Sequence, residues 1–195
     1  MRAAAIRRAT RGDARVARPS RIRAVRRSHE PVIRTASAAD ARAIHALIAA
    51  HLSEGHLLPR TLDDIEAHAT RFLVATVRNR IVACADLAPL SPYVAEVRSL
   101  VVGSGVRSTG LGQRLVNELA SRARIAGFES LCAFTHVAGY FVRMGFSIVP
   151  HPWVPEKIET DCRTCPLFRR CGQYAVTLPL ARTAQSFVPL ASLHG

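Results

Sequence analysis

One stretch constrains the fold more than any other: Val101-Val102-Gly103-Ser104-Gly105-Val106-Arg107-Ser108-Thr109-Gly110-Leu111-Gly112. An apolar run ends in a glycine- and serine-bearing loop, and the loop opens directly into an amphipathic pattern with Leu111, Leu115, Val116 and Leu119 on one side. A strand, a loop and a helix start therefore follow one another without a break. The first N–H groups of a helix lack internal partners and carry partial positive charge. Gly110 and Gly112 let an anion approach the backbone, and Arg107 adds a charged donor. The pattern predicts a cradle for a pyrophosphate. A Walker loop is excluded, because no Gly-Lys-Ser/Thr follows. A dinucleotide fingerprint is excluded too, because the segment comes late and after several strands.

The elements around it set the architecture. Pro31–Arg34 reads as a short strand. Ser37–Asp40 reads as a cap for a helix over Ala41–His51, and Thr61 as the cap of a second helix over Leu62–Arg71. Phe72–Val77, Ile81–Leu87 and Ala95–Val102 read as an antiparallel meander, with a tight turn at Arg78-Asn79-Arg80. The helix Leu111–Ile125, stopped by Gly127, carries the chain across to a strand at Leu131–Thr135. A short helix at Gly139–Met144, a strand from Gly145, an irregular stretch at 150–172 and a strand at Tyr174–Leu180 complete the order βααβββαβαββ. That is an α+β fold, a mixed sandwich with a mostly antiparallel sheet flanked by helices, of roughly 150 residues. The expected organisation is a disordered Arg-rich extension over residues 1–30, one domain over 31–182 and a loose tail over 183–195.

Composition narrows the class. At 49% hydrophobic and 21% charged residues, the chain has the apolar content for a packed core. No apolar run approaches the ~18 residues of a membrane span. The net charge of +13 is concentrated. Residues 1–28 hold ten arginines and one acid, Asp13, whereas the rest holds 17 basic and 13 acidic residues. The body is only mildly basic, and the tail has no aromatic for base stacking, so no specific nucleic-acid partner and no membrane partner is expected. The tail has no apolar h-region for a secretory signal. Its Arg-rich, acid-poor composition suits an organelle transit peptide as well as a plain extension; the plain extension and a cytoplasmic location are the expectation.

The five cysteines, Cys84, Cys132, Cys162, Cys165 and Cys171, are odd in number. Reduced thiols are expected rather than a disulfide framework. Cys162-x2-Cys165-x5-Cys171 is a partial zinc signature that would need His151, Asp161 or Cys132 as a fourth ligand. No metal is the expectation.

In this context Arg107-x-x-Gly110-x-Gly112, together with Phe141-Val142-Arg143-Met144-Gly145-Phe146, resembles the GNAT superfamily of acetyl-CoA-dependent N-acetyltransferases. Further segments are similar to the short bacterial N-acetylglutamate synthases: His56-Leu57-Leu58-Pro59-Arg60, Glu96-Val97-Arg98-Ser99-Leu100, Pro155-Glu156-Lys157-Ile158 and Asp161-Cys162-x-x-Cys165-Pro166. Those are stand-alone acetyltransferase domains without the amino-acid-kinase-like domain of the long enzymes. The resemblance covers about three quarters of the chain. It implies acetyl-CoA as co-substrate, glutamate as acceptor, a homodimer and a place at the head of arginine biosynthesis. It also implies Leu100, Val101, Val102, Arg107, Ser108, Thr109, Gly110, Leu111 and Gly112 as the cofactor-binding set.

Acetylating an amine requires a base for the ammonium proton, a donor to the thioester carbonyl, a proton for the leaving thiolate and alignment of the acceptor. Glu96 is the candidate base. Backbone N–H groups near Leu100 and Val102 are candidates to polarise the carbonyl. Phe141 stands where many of these enzymes have Tyr, which leaves the thiolate's acid open among Tyr140, Thr135, His136 and Ser99. A glutamate acceptor carries two carboxylates and calls for Arg60, Arg98 and Lys157, with Thr135 beside them. Two alternatives stay open: an acetyltransferase for another small amine or a protein N-terminus, and a non-catalytic acetyl-CoA or arginine sensor.

Overall fold

The computed structural model describes residues 30–180. The two expected tails lie outside the described residues, apart from Glu30. Seven strands form one sheet: β1 (Val32–Thr35), β2 (Phe72–Val77), β3 (Arg80–Pro89), β4 (Val94–Val102), β5 (Ser130–Thr135), β6 (Ser147–Val149) and β7 (Tyr174–Pro179). Their order across the sheet is β1-β2-β3-β4-β5-β7-β6. Every pairing is antiparallel except β4 with β5, which the chain reaches by the crossover helix. The four longer helices are α1 (Ala41–Ala49), α2 (Leu62–Ala67), α3 (Leu111–Ile125) and α4 (Ala138–Val142).

Alternation along the strands divides the core in two. Leu73, Ala75, Ala83, Ala85, Ala95 and Val97 face α3, where Leu111, Leu115, Val116 and Leu119 cover them. Phe72, Val74, Cys84 and Val101 face the other way, against Ile44, Ile48 and Ile65 of α1 and α2. Both faces of the sheet are therefore covered, and Phe72–Ala75 is buried throughout.

Local chemistry explains the boundaries. Arg78 and Asn79 both have positive φ (49° and 60°), the backbone of a two-residue hairpin turn. Asp40 accepts from the Ser37 N–H at 2.8 Å and holds Arg34 through paired contacts of 2.7 and 2.8 Å. The Thr61 hydroxyl accepts from the Asp64 N–H at 3.2 Å at the start of α2. After α4, Gly145 takes φ 91°. Its N–H bonds Val142 O at 3.0 Å while the Phe146 N–H bonds Phe141 O at 3.2 Å. That is a left-handed helix stop, sealed by Phe146 against the Phe141 ring at 5.2 Å.

Two expectations change. The helix expected over Leu62–Arg71 ends at Ala67 and continues as a tighter turn over Ala69–Arg71, which turns the chain into β2. The stretch 150–172 is not irregular. It holds short helical turns at His151–Trp153, Pro155–Lys157, Ile158–Cys162 and Phe168–Arg170, the third of them wide.

Candidate acetyl-transfer site

The parallel pair β4 and β5 makes the site. They pair only from Val94 to Glu96 with Ser130 to Cys132. Beyond Glu96 they part, and β5 continues paired to β7 alone. Composition did not announce this fork. On its other edge β4 carries an extra residue against β3: Asp86 faces Arg98 and Cys84 faces Val101, with Ser99 at φ 49° between. The fork opens a cleft of ≈ 1740 Å³, larger than the few hundred to a thousand Å³ typical of one small ligand.

At one end the cleft meets the N-terminus of α3. Gly110 has φ 79°, and its carbonyl accepts the first helical bond from Arg114 N–H at 3.0 Å. The N–H groups of Leu111, Gly112 and Gln113 precede that bond and lack helical acceptors. Arg107, Ser108, Gly110, Leu111 and Gly112 all line the cleft, as do Leu100, Val101 and Val102. The side chains of Val101 and Leu111 are in the core, so these two present backbone. Thr109 differs from expectation and does not line the cleft: its hydroxyl donates to Val106 O at 2.8 Å and closes its own loop. Arg107 is already engaged. Its Nε donates to Val102 O at 2.9 Å, and its Nη2 meets both Glu54 oxygens at 2.7 and 2.9 Å. Orphan N–H groups beside a guanidinium fit a pyrophosphate.

At the other end four charged groups interlock. Glu96 is 3% exposed. It accepts from Arg98 Nε, two residues along the same strand face. Lys157 Nζ lies 2.8 and 2.9 Å from its two oxygens. Lys157 and Arg98 both also hold Asp161, Lys157 at 2.7 Å. Burial works against the Arg98 charge, but Glu96 and then Asp161 outweigh it and hold the guanidinium above its usual range. Lys157 Nζ also sits 5.4 Å from the centre of the Phe134 ring.

Arg60 reaches the same cleft from the loop between α1 and α2. Its Nε donates to Asp64 at 2.6 Å and its Nη1 is 3.8 Å from Asp86. Thr135 lines the cleft, and its hydroxyl accepts from the Val137 N–H at 3.0 Å. The structure thus brings Glu96, Arg60, Arg98, Lys157 and Thr135 into one cleft with the cradle. His136 stands apart from that lining, against the His56 ring at 5.8 Å.

Tyr140 and Phe141 both border the cleft. Phe141 is 6% exposed and belongs to the α3-side core, whereas the Tyr140 hydroxyl stands over Gly112. Burial raises the Tyr140 phenol, which keeps it a proton carrier at neutral pH. Cys162, Cys165 and Cys171 line the charged end of the cleft as free thiols. Cys132 is paired with Glu96 across β4 and β5, its thiol raised by burial and then by the Glu96 charge. Among the described residues no group of three or more His, Cys, Asp or Glu is arranged to hold a metal ion. Nor is any described helix long and apolar enough to cross a membrane. Residue spacing did not single out Asp86, Arg71 or Glu54. Their roles come from contacts across 15 and 53 positions of sequence.

Comparison with known proteins agrees with this geometry. An uncharacterized N-acetyltransferase of Chlorobaculum tepidum is 31% identical over 148 residues, 76% of this chain and 96% of its own length. An amino-acid acetyltransferase of Pseudomonas putida is 32% identical over 118 residues, which are 60% of this chain but only 27% of that longer protein. Among solved structures, N-acetylglutamate synthase of Neisseria gonorrhoeae, complexed with coenzyme A and N-acetyl-glutamate, superposes with a TM-score of 0.70. It is 25% identical, over 78% of this chain and 35% of that one. A Mycobacterium tuberculosis protein in complex with CoA and NLQ shares the fold with a TM-score of 0.68 and 23% identity, over 77% of this chain and all of that one. The sequence model of the GNAT acetyltransferases matches residues 41–146, from the start of α1 through the Gly145-Phe146 helix stop, and the chain belongs to the acetyltransferase (GNAT) family.

Proposed function

We propose that this chain transfers the acetyl group of acetyl-CoA to the α-amine of L-glutamate, as a cytoplasmic N-acetylglutamate synthase serving arginine biosynthesis. The observation that carries the reading is the charged end of the cleft. A buried carboxylate, Glu96, is flanked by Arg98 and Lys157, and Arg60 lines the same cleft. A dicarboxylate amine needs cations for its carboxylates and a base for its ammonium group, and this end supplies both. A polyamine acceptor would bring no carboxylate to draw Arg98 and Lys157 from Glu96.

Acetyl-CoA supplies the activated acyl group. Arg107 and the N–H groups at the start of α3 hold its pyrophosphate, with Arg107 exchanging Glu54 for phosphate. The unpaired edge of β4 beyond Glu96 faces the fork and offers backbone N–H groups to the thioester oxygen. Before the acceptor arrives, both Glu96 oxygens are occupied by cations. The acceptor's carboxylates compete for Arg98 and Lys157. Drawing Lys157 away frees Glu96 Oε1 to take the ammonium proton, directly or through a water. The leaving sulfur takes its proton from the Tyr140 phenol or from solvent entering the open cleft. The same reading takes residues 31–182 as the catalytic domain and the working form as a homodimer.

The test is product identity. Purified chain, acetyl-CoA and glutamate should give N-acetylglutamate by mass, and Glu96→Gln should bind CoA without forming it. A Glu96→Gln variant as active as the parent would remove the base from this account.

A further inference from the structure

Two charged side chains are buried among the described residues, Glu96 and Asp86, and the chemistry above uses only Glu96. Asp86 is 0% exposed in the middle of β3, directly across from Arg98 in the β3–β4 register. Its side chain therefore shares a sheet face with Arg98 and Glu96. A carboxylate is costly to bury without partners. Here two guanidinium groups from separate segments converge on it. Arg71, from the turn before β2, forks onto it at 3.1 and 2.9 Å. Arg60, from the α1–α2 loop, stands 3.8 Å away, and Arg98 is its register neighbour on β4 but is engaged with Glu96 and Asp161.

Arg60 lies on a loop stretch without regular structure, so side-chain contacts must place its guanidinium. It has two acidic partners. Asp64, one turn along on α2, is 38% exposed, so solvent screens that pair, whereas Asp86 is fully buried. Asp86 belongs to the sheet, on the strand beside the one that carries Glu96 and Arg98. We propose that Asp86 is a positioning residue for the acceptor, fixing the Arg60 guanidinium relative to Glu96 so that Arg60 meets an acceptor carboxylate. This rests on the acetyltransferase reading above. A core that needed only packing would be served by an apolar residue, as at Ala83, Ala85 and Ala88 on the same strand.

The test is a cycle in the full chain with Asp86→Asn, Arg60→Gln and the pair of substitutions. It reads acceptor KM, kcat and CoA affinity separately. Asp86→Asn should raise the acceptor KM about 10-fold or more, with CoA affinity unchanged and kcat reduced less. In the Arg60→Gln background it should add nothing, because Asp86 acts through Arg60. A second variant, Asp86→Asn with Arg71→Gln, covers the case in which a stranded Arg71 prevents folding. It removes the buried ion pair whole, so a purely structural role predicts a wild-type KM, whereas positioning predicts that KM stays high. An unchanged KM in Asp86→Asn, or effects that multiply with Arg60→Gln, would overturn the inference. If the parent chain acetylates no amino acid, the proposed function fails first and takes this inference with it. If the parent is active and the cycle shows no coupling, only this inference falls.

Discussion

The Tyr140 hydroxyl occupies the space that a side chain on Gly112 would need. A Cβ built there would lie 2.5 Å from the Tyr140 oxygen, with Val102 Cγ2 next at 3.3 Å and Tyr140 Cζ at 3.6 Å. The second glycine of the cradle is thus required by a neighbour from α4 as well as by an approaching anion. Gly112→Ala should destabilise the fold by about 1–3 kcal/mol through overpacking. In the Tyr140→Phe background the oxygen is gone and the same substitution should cost under about 1 kcal/mol. Thermal unfolding of the four proteins measures this directly. Equal costs in both backgrounds would mean that Tyr140 moves aside freely.

Arg107 and Glu54 make competing predictions for the cradle. Both are more than 40% exposed, so their pairing is screened by solvent. A pyrophosphate must take Arg107 from Glu54. Glu54→Gln should therefore tighten CoA binding a few-fold, and Arg107→Ala should weaken it by about 10-fold. Calorimetric titration with CoA at two salt concentrations reads both, and the Arg107→Ala complex should show the weaker salt dependence.

Acid sensitivity should appear at the start of α1. The paired contacts with Arg34 come first among the causes that hold the Asp40 carboxyl well below its ordinary 3.8. A lowered folded value means the contribution is complete above the ordinary value and is lost as pH falls through the lowered one. Asp40→Asn should cost about 1 kcal/mol at neutral pH, and the gap to the parent should begin to narrow as pH falls below about 4. Denaturant midpoints for both proteins across that range would show a constant gap if Asp40 contributes nothing through its charge.

Much of this was legible in the residues, for identifiable reasons. Helix α3 has the bounds its periodicity predicts, because apolar spacing and the stop at Gly127 act locally. The Arg78-Asn79 turn and the Thr61 cap are local too. The fork between β4 and β5 was not legible, since it depends on how far two distant strands stay paired. Nor was the Asp86 cluster, whose partners Arg60 and Arg71 come from two separate segments. Thr109 shows the limit within a recognised motif: its hydroxyl is spent on Val106 O within its own loop. The stretch 150–172, with its prolines and cysteines, reads as loop because each of its helical turns is too short to show a period.

Competition among acceptors in one reaction tests the glutamate preference most directly. Purified chain is given acetyl-CoA with glutamate, glutamine, aspartate, lysine and a polyamine at equal concentration, and the acetylated products are resolved by mass. N-acetylglutamate should form in clear excess, with that preference lost in Arg60→Gln and Arg98→Gln. Acetyl-lysine or acetyl-polyamine as the main product would contradict it, because those acceptors lack the second carboxylate that the cations around Glu96 would hold.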